Sequence, residues 1–489
     1  DSCKIMKVKG DIKMLNKMKS ALGRKTIIVI FLMALTIECS SQIIEDGTNV
    51  QQVWSREYNG SDNSRDYIKS MVVDAAGNVY VTGSTMETGR YNDYTTIKYN
   101  SAGVRLWVAH YNNNSGDFAN SVAVDGFGNV YVTGYSYGDN AADYLTIKYN
   151  SSGTEQWVKR YDGTGNDVDY AQSLAIDEDG NVYVTGSSMD ASGNEDYVTI
   201  KYSSLGNTVW LKRYNGAGNL YERTNSIVVD GNGNVYVAGN TKRSETDDDY
   251  LIIKYNPSGN EEWVRTYDGL GHGFDHVQKI VLGLNNSIYL TGNSEGNGTG
   301  KDFMTIRYNA EGTMQWARRY NGPANNIDWV KTLVVDADGN TYVTGYSMSN
   351  VSNYDYATIK YNSSGIQQWV KRLDGGINSV DYARDMALDE SGNIYVTGAF
   401  LKTYSDYQIA TIKYSPSGAQ KWLKLYNNPA GKVSTGSSIV VDGSGNVFVA
   451  ASSDVSGADI GNYANYLVVK YTQSRYVIVN RVGIPNTFS

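Results

Sequence analysis

The chain has 489 residues, with 41 tyrosines, 51 glycines, only 5 prolines, two cysteines and a formal charge of −8. An acidic surface repels phosphate backbones, which argues against a nucleic-acid partner. Val, Thr, Ile and Tyr broken by Gly, Asn and Asp suit many short strands joined by tight turns.

Lys and Arg punctuate residues 1–25, and "TIIVIFLMALTI" (26–37) is then an uncharged, predominantly apolar run. That run is too short to span a bilayer and fits the hydrophobic region of a secretory signal. "CSSQ" follows, so a signal peptide over residues 1–41 with cleavage after Ser41 is expected, giving a secreted or cell-surface protein without a transmembrane segment. Lipid anchoring through Cys39 is the less favoured alternative, because Glu38 precedes it. Cys3 and Cys39 both lie in or at this leader, so the exported chain must be held by its core rather than by disulfides.

After a linker (42–53) the sequence becomes periodic. Trp54, Trp107, Trp157, Trp210, Trp263, Trp316, Trp369 and Trp422 recur at intervals of 50 or 53 residues. "VDAAGNVYVTG" from Val73 and "DYTTIKYN" from Asp93 recur with them, the last copies being "VDGSGNVFVAA" and "NYLVVKYT". A period of this length marks a repeat architecture in which each unit buries its faces against neighbours. Within one unit, residues 173–177, 181–186, 196–202 and 208–214 read as strands A, B, C and D. The A–B and C–D links are short and glycine-bearing, as in hairpins, and Pro257 and Pro416 take the second position of C–D turns. The B–C and D–A links are longer and vary between copies. Four-stranded units of this size are what radial propeller blades require.

The "DxxGNVYVTG" and "DYxTIKY" signatures resemble the bacterial SBBP family of β-propeller repeats, over residues 54–471. The family name implies seven blades, yet every signature appears eight times. A single all-β propeller over 54–474 with eight blades is therefore expected, seven being the alternative. The first recognisable strand is a D strand around Trp54 and the last is a C strand, so the N-terminal strand is expected to complete the last sheet and close the ring. Residues 475–489 read as a tail, and "VGIPNTFS" resembles the lead-in to a type IX secretion sorting domain.

The stretch "IDEDGNVYVTG" (176–186) raises the question of a calcium loop. A bidentate glutamate is missing at the twelfth position, and the place of Asp179 is taken elsewhere by Ala76 and Phe127. A turn is the favoured reading, with Asp177 accepting backbone hydrogen bonds and Gly180 at positive φ. No metal or other cofactor is expected.

Two acidic rings are expected on the long-loop face. One precedes strand A, at Asp66, Asp117, Asp169, Glu222, Asp275, Asp328 and Asp381, with Ser434 breaking the set. Tyr67, Phe118, Tyr170, Trp329 and Tyr382 follow five of these, and His276 follows Asp275. Except for Glu222, the acids and their following neighbours are the candidate ligand-binding residues. The second ring precedes strand C at Asp93, Asp143, Asp196, Asp249, Asp302, Asp355 and Asp406. The alternative to a binding mouth is that both rings cap strands and tie blades together. His272 and His276 with Asp275 form a further option, a transition-metal site, which the lack of a fourth ligand disfavours. His110 stands where other copies carry Arg and reads as a surface substitution. The strand C cation, Lys98 and its repeats, is expected to pair with an acidic neighbour across strands.

No nucleophile elbow, zinc-protease helix or phosphate loop is present, and no catalytic residue is assigned. The favoured function is an exported, monomeric, non-enzymatic binding or adhesion scaffold for a glycan or a surface protein. A carbohydrate-active hydrolase or lyase, and a purely structural surface repeat, are the alternatives.

Overall fold

The computed structural model describes residues 44–479 apart from 62–65, 87–90, 139–140, 166, 217–219, 245–246, 350–352, 377–379, 404–405, 430–432 and 455–463. The expected signal peptide and residues 480–489 lie outside the described residues. Residues 50–473 form one compact unit; a second comprises 1–49 and 474–489, of which 44–49 and 474–479 are described and are strand.

Among the described residues the strands fall into eight four-stranded sheets, each in A–B–C–D order. Blade 1 comprises Tyr67–Val73, Val79–Met86, Asn92–Tyr99 and Arg105–Tyr111. The A strands of blades 2 to 8 are Asp117–Val124, Asp169–Ile176, Glu222–Val229, His276–Leu282, Asp328–Val335, Tyr382–Leu388 and Ser434–Val441. Each A strand touches the next, and that of blade 8 touches that of blade 1, so the innermost strands make a complete circle. Blade 8 takes its B and C strands from Val447–Asp454 and Ala464–Val479 and its D strand from Ile44–Tyr58 at the other end of the chain. The eight-bladed, N-terminally closed propeller is thus the observed architecture. Closure leaves no open sheet edge between the first and last repeats.

Burial follows position in the blade. Strand B is buried on both faces over "VYVTG", as a strand sandwiched between neighbouring blades must be. Strand D, the outermost, carries exposed residues at its start. The core is a set of wedges between blades rather than one central mass. Tyr80 and Tyr94 of blade 1, for example, pack with Ala119, Val132 and Ile147 of blade 2. The closing wedge holds Trp54 and Phe448 of blade 8 against Ile68, Val81 and Ile97 of blade 1.

Every A strand contains a bulge that leaves one residue unpaired: Lys69, Asn120, Gln172, Asn225, Gln278, Lys331, Arg384 and Ser437. The bulge explains the last letter of "NVYVTG". A Cβ on Gly83 would lie 1.8 Å from the Tyr67 carbonyl oxygen, so only glycine fits opposite the bulge. In blade 8 the pair is reversed, with Gly436 on strand A facing Ala451 on strand B.

Blades are stitched edge to edge by the periodic tryptophan. Trp107 Nε1 donates to the Ser151 carbonyl in the C–D turn of the next blade (3.1 Å), and Trp157, Trp210, Trp316 and Trp369 do the same to Ser204, Pro257, Ser363 and Pro416. The strand C cation adds a second donor: Lys98 to Ser151, Lys148 to Ser204, and Lys470 of blade 8 to Ser101 of blade 1 (2.9 Å). The expected cross-strand ion pair is therefore not its general role. Lys254 with Glu262 (2.8 Å) and Lys413 with Asp389 (3.5 Å) do meet carboxylates, but Lys98, Lys148 and Lys470 reach backbone oxygens and lie over the Tyr80, Tyr131 and Phe448 rings.

Candidate functional site

The hairpin aspartates are filled from within their own turns. Asp177 Oδ1 accepts from the backbone of Asp179 and Asn181 (3.1 and 2.8 Å), and Oδ2 accepts from Asn181 Nδ2 and the Tyr183 hydroxyl (both 2.8 Å). Gly180 has φ +74°, which the turn needs. At Asp74 burial opposes the charge, but bonds from Asn78 and Tyr80 outweigh it and leave the carboxyl below its usual value. Four donors on one carboxylate make this a turn rather than a calcium loop.

The first acidic ring is fully buried. Asp66, Asp117, Asp169, Glu222, Asp275, Asp328 and Asp381 are all 0 % exposed. Asp66 accepts from Gly60 N in the D–A link (2.8 Å) and from Met86 N at the end of strand B (3.2 Å). Asp381 does likewise with Gly375 N and Leu401 N (2.7 and 2.8 Å), and Asp328 with Gly322 N and Met348 N (2.5 and 3.1 Å). Asp275 holds Gly269 N and Glu295 N, Asp169 holds Gly163 N, and Asp117 holds Asn113 N. In blades 1, 5, 6 and 7 the carboxylate pins the D–A link to strand B of the same blade. Six of the seven acids have a glycine six residues upstream, Asp117 being the exception, and the approach is close: a Cβ on Gly322 would lie 2.1 Å from Ser347 Oγ and 2.7 Å from Asp328 Oδ1. Burial pushes Asp117, Asp169, Asp275 and Asp328 up to about 6 and Glu222 up to about 7. A solute reaches these acids only if the links open.

The second ring is occupied by the blades themselves. Arg213 pairs with Asp196 (2.7 Å), Arg319 with Asp302 (3.0 Å), Arg372 with Asp355 (2.9 Å), and Arg160 with Asp143. Burial raises all four carboxyls, with the guanidinium working against it. Its blade 7 member needs correction. Phe400 pairs with Gln408 as Ser347 pairs with Asp355, so Gln408 holds the ring position while Asp406 lies two residues further out, opposite Thr403. In blade 1, where His110 holds the arginine position, His110 contacts Thr95 Oγ1 (2.9 Å) and the Tyr58 hydroxyl (3.3 Å), and Asp93 accepts from Asn112 Nδ2 (3.0 Å). Blade 8 inverts the charges: Ser434 and Asn465 stand at the acidic positions, and Glu57 stands where Arg does, accepting from Asn428 and Ser453 (3.0 and 2.9 Å).

Three acidic groups draw carboxylate oxygens within 4.8 Å of one another: Asp143–Asp162–Asp169, Asp249–Asp268–Asp275 and Asp355–Asp374–Asp381. Arg160 and Arg372 already bring positive charge to the first and third. Among the described residues no such group contains His272 or His276. His272 pairs with Asp268 (2.8 Å), His276 with Asp248 (3.0 Å), and Asp275 turns inward, so the two histidines and Asp275 do not assemble into one metal site.

The aromatic candidates stay half-buried at the surface of the same face. Phe118 stacks on Tyr135 (5.1 Å), which meets Tyr170 edge-on (4.7 Å) across the blade 2–3 boundary. Tyr346 meets Tyr354 (5.3 Å) and Tyr382 (4.7 Å) across blades 6 and 7. Trp329 and Phe274 share the Lys301 ammonium (5.2 and 4.8 Å). Tyr67 lines a cavity near the axis. These groupings differ from blade to blade, unlike the acids.

The SBBP family model, described as a beta-propeller repeat, matches residues 53–88, 107–140, 156–190, 209–243, 315–351 and 368–399. Over 439 residues the chain is 24% identical to an uncharacterized WD repeat-containing protein, L264, of Acanthamoeba polyphaga mimivirus, covering 74% of this chain and 28% of that protein's length. The chain thus spans little more than a quarter of that relative. Among solved structures it is similar to Chaetomium thermophilum Sqt1 bound to the N-terminus of ribosomal protein L10, with a TM-score of 0.50, 9% identity, and 85% and 98% of the two chains covered. A PL25 ulvan lyase bound to a GlcA–Rha3S saccharide aligns with a TM-score of 0.45 at 11% identity over 84% and 95% of the chains, too loose a match to bear on chemistry. At these identities the structural likeness concerns the fold alone.

Proposed function

The chain belongs to the SBBP β-propeller repeat family, and from that premise we propose that it is an exported, non-enzymatic binding scaffold whose long-loop face contacts a glycan or a surface protein. The observation that carries this reading is the contrast between the two halves of each candidate pair. The acids are buried and pin the D–A links, whereas Phe118, Tyr135, Tyr170, Tyr346, Tyr354 and Tyr382 cluster at the surface in blade-specific groups. Half-buried rings held by their neighbours offer contact area at little entropic cost, and they suit sugar faces and protein hot spots alike. Carboxylates raised to about 6 or 7 by burial would otherwise be the candidates for acid–base work, but Asp169 and Asp328 accept a backbone N–H and Glu222 a hydroxyl. The apolar run at 26–37 supports export.

The test is a glycan array and a surface-protein binding screen with the propeller, alongside an assay for new reducing ends or unsaturated sugars. Saturable binding without turnover, lost in Tyr346→Ala or Tyr135→Ala, supports the reading. Turnover, or no saturable ligand in any format, overturns it.

A further inference from the structure

Eight unpaired bulge residues line the inner circle, and their chemistry is uneven. In blades 2 and 4 the residue is asparagine and serves the fold: Asn120 Nδ2 donates to the Ala171 carbonyl of the next blade (2.8 Å), and Asn225 Nδ2 to that of Val277 (2.6 Å). In blades 6, 7 and 1 the same position holds Lys331, Arg384 and Lys69. Blade 8, between Arg384 and Lys69, is stripped of bulk. Its A strand reads Ser434–Thr435–Gly436–Ser437 where blade 7 has Asp381–Tyr382–Ala383–Arg384. The missing ring and side chain open a cavity of about 420 Å³ lined by Tyr67, Lys69, Lys331, Arg384, Thr435, Ser437 and Ser452 among others. That volume lies within the ordinary range for small-ligand sites.

Among the described residues no carboxylate lines this cavity. Among the described residues, none of the three cations forms a salt bridge. Asp385, next to Arg384 in sequence, turns to the Ser438 hydroxyl and the Ile439 amide (both 2.9 Å). Lys331 lies over the Tyr346 ring at 5.5 Å, linking the cavity to the aromatic group of blades 6 and 7. Burial, with Arg384 nearby, draws the Lys331 ammonium below its usual value. Lys69 and Arg384 are exposed and Lys331 is half-buried, so the cavity presents three positive charges to solvent, against the chain's net charge of −8, and favours an anionic ligand.

We propose that Lys69, Lys331 and Arg384 form the acidic-group subsite of this binding face, taking the carboxylate or sulfate ester of an acidic saccharide. The Tyr67 ring provides a stacking surface, and the Thr435, Ser437 and Ser452 hydroxyls suit the sugar's own hydroxyls. This rests on the reading of the long-loop face as a glycan-binding surface.

The experiment is calorimetric titration of the propeller with a uronic-acid oligosaccharide, its methyl-esterified neutral counterpart, a sulfated oligosaccharide and inorganic sulfate alone, with and without Lys331→Gln/Arg384→Gln. Each charge-assisted hydrogen bond lost should weaken acidic-saccharide binding by about tenfold or more, leaving neutral-sugar affinity unchanged. The uronate and sulfated arms identify which acid the subsite takes. Circular dichroism melting checks that the variant folds, and Lys331→Arg, which retains the charge, should retain binding. Equal affinity for acidic and neutral forms, or acidic binding untouched by the double variant, overturns this subsite while leaving a glycan-binding face intact. Inorganic sulfate should compete with the acidic saccharide; a sulfate response that the double variant leaves unchanged marks an adventitious ion only and overturns the subsite. Absence of any saccharide binding removes the underlying reading instead.

Discussion

Trp422 donates its indole N–H to the carboxamide oxygen of Gln473 at 3.1 Å. In six other blades the corresponding tryptophan reaches a backbone carbonyl in the C–D turn of the following blade. Blade 8 has no such turn, because its C strand runs on to Val479 and its D strand comes from the N-terminal end. Gln473 replaces the missing carbonyl with a side chain. The same oxygen accepts from Lys413 Nζ (3.0 Å), and its Nε2 donates to the Tyr395 hydroxyl (3.0 Å) and the Gly445 carbonyl (2.7 Å). One residue thus performs at the ring's seam what a turn performs elsewhere.

Gln473→Ala leaves the Trp422 indole and the Gly445 carbonyl without these partners in a part-buried place. The expected cost is about 2–3 kcal/mol, read as a lower denaturant midpoint at unchanged slope. An unchanged midpoint would show that the seam does not depend on this side chain.

The inverted charges of blade 8 make a second prediction. Glu57→Arg places a guanidinium beside Ser434 and Asn465, where no ring carboxylate stands, and removes the acceptor of Asn428 and Ser453. A loss of about 1–2 kcal/mol is expected, and adding Asn465→Asp should recover part of it by recreating the pair seen at Arg372–Asp355. Additive effects in that double-mutant cycle would contradict the proposed exchange of partners.

Buried carboxylates set the direction of the pH dependence. Asp117, Asp169, Asp275 and Asp328 are raised from 3.8 to about 6 and Glu222 from 4.5 to about 7, so the folded state binds protons that the unfolded state has released. The stability these groups contribute is fully present below about pH 4 and is lost as pH rises through 6 to 7. The hairpin acids Asp74, Asp125 and Asp389 act oppositely: they are lowered below 3.8, and their contribution falls only in stronger acid. The melting temperature should therefore be higher at pH 5 than at pH 7.5. A flat or rising profile across that window would contradict the burial of the ring.

Asp177→Ala removes four acceptor interactions, including the one to Tyr183, and should destabilise by about 2–3 kcal/mol. Added calcium should leave the melting temperature of the parent protein unchanged. A calcium-dependent rise that Asp177→Ala abolishes would restore the metal reading of this loop.

The blades, their number and the closure were legible because tryptophan, hairpin glycine and strand signatures share one period, and because the first strand is a D strand. The acidic ring was visible as a recurrence, but its burial was not: it depends on the D–A link folding over the carboxylate, and its trace is a glycine six residues before six of the seven acids, as at Gly322 and Asp328. Asp406 shows how a long B–C link misleads. Two residues of extra strand shift the register, and Gln408 takes the ring position. The role of Lys98 escaped for a different reason, since its partner belongs to the next blade, 53 residues away. The Lys331–Arg384–Lys69 group is invisible to periodicity because it arises only when blades 6, 7 and 1 are brought round a thinned blade 8.

The most direct test of the account is hydrogen exchange on the first strand. With Trp54 packed against Tyr99 (6.4 Å) and Phe448 (6.2 Å), the alternate amides of residues 50–57 that face the last C strand should exchange as slowly as the amides of that strand at 464–471. Exchange of 50–57 at the rate of a free peptide, while 464–471 stays protected, would mean that the ring is not fastened by its N-terminal strand.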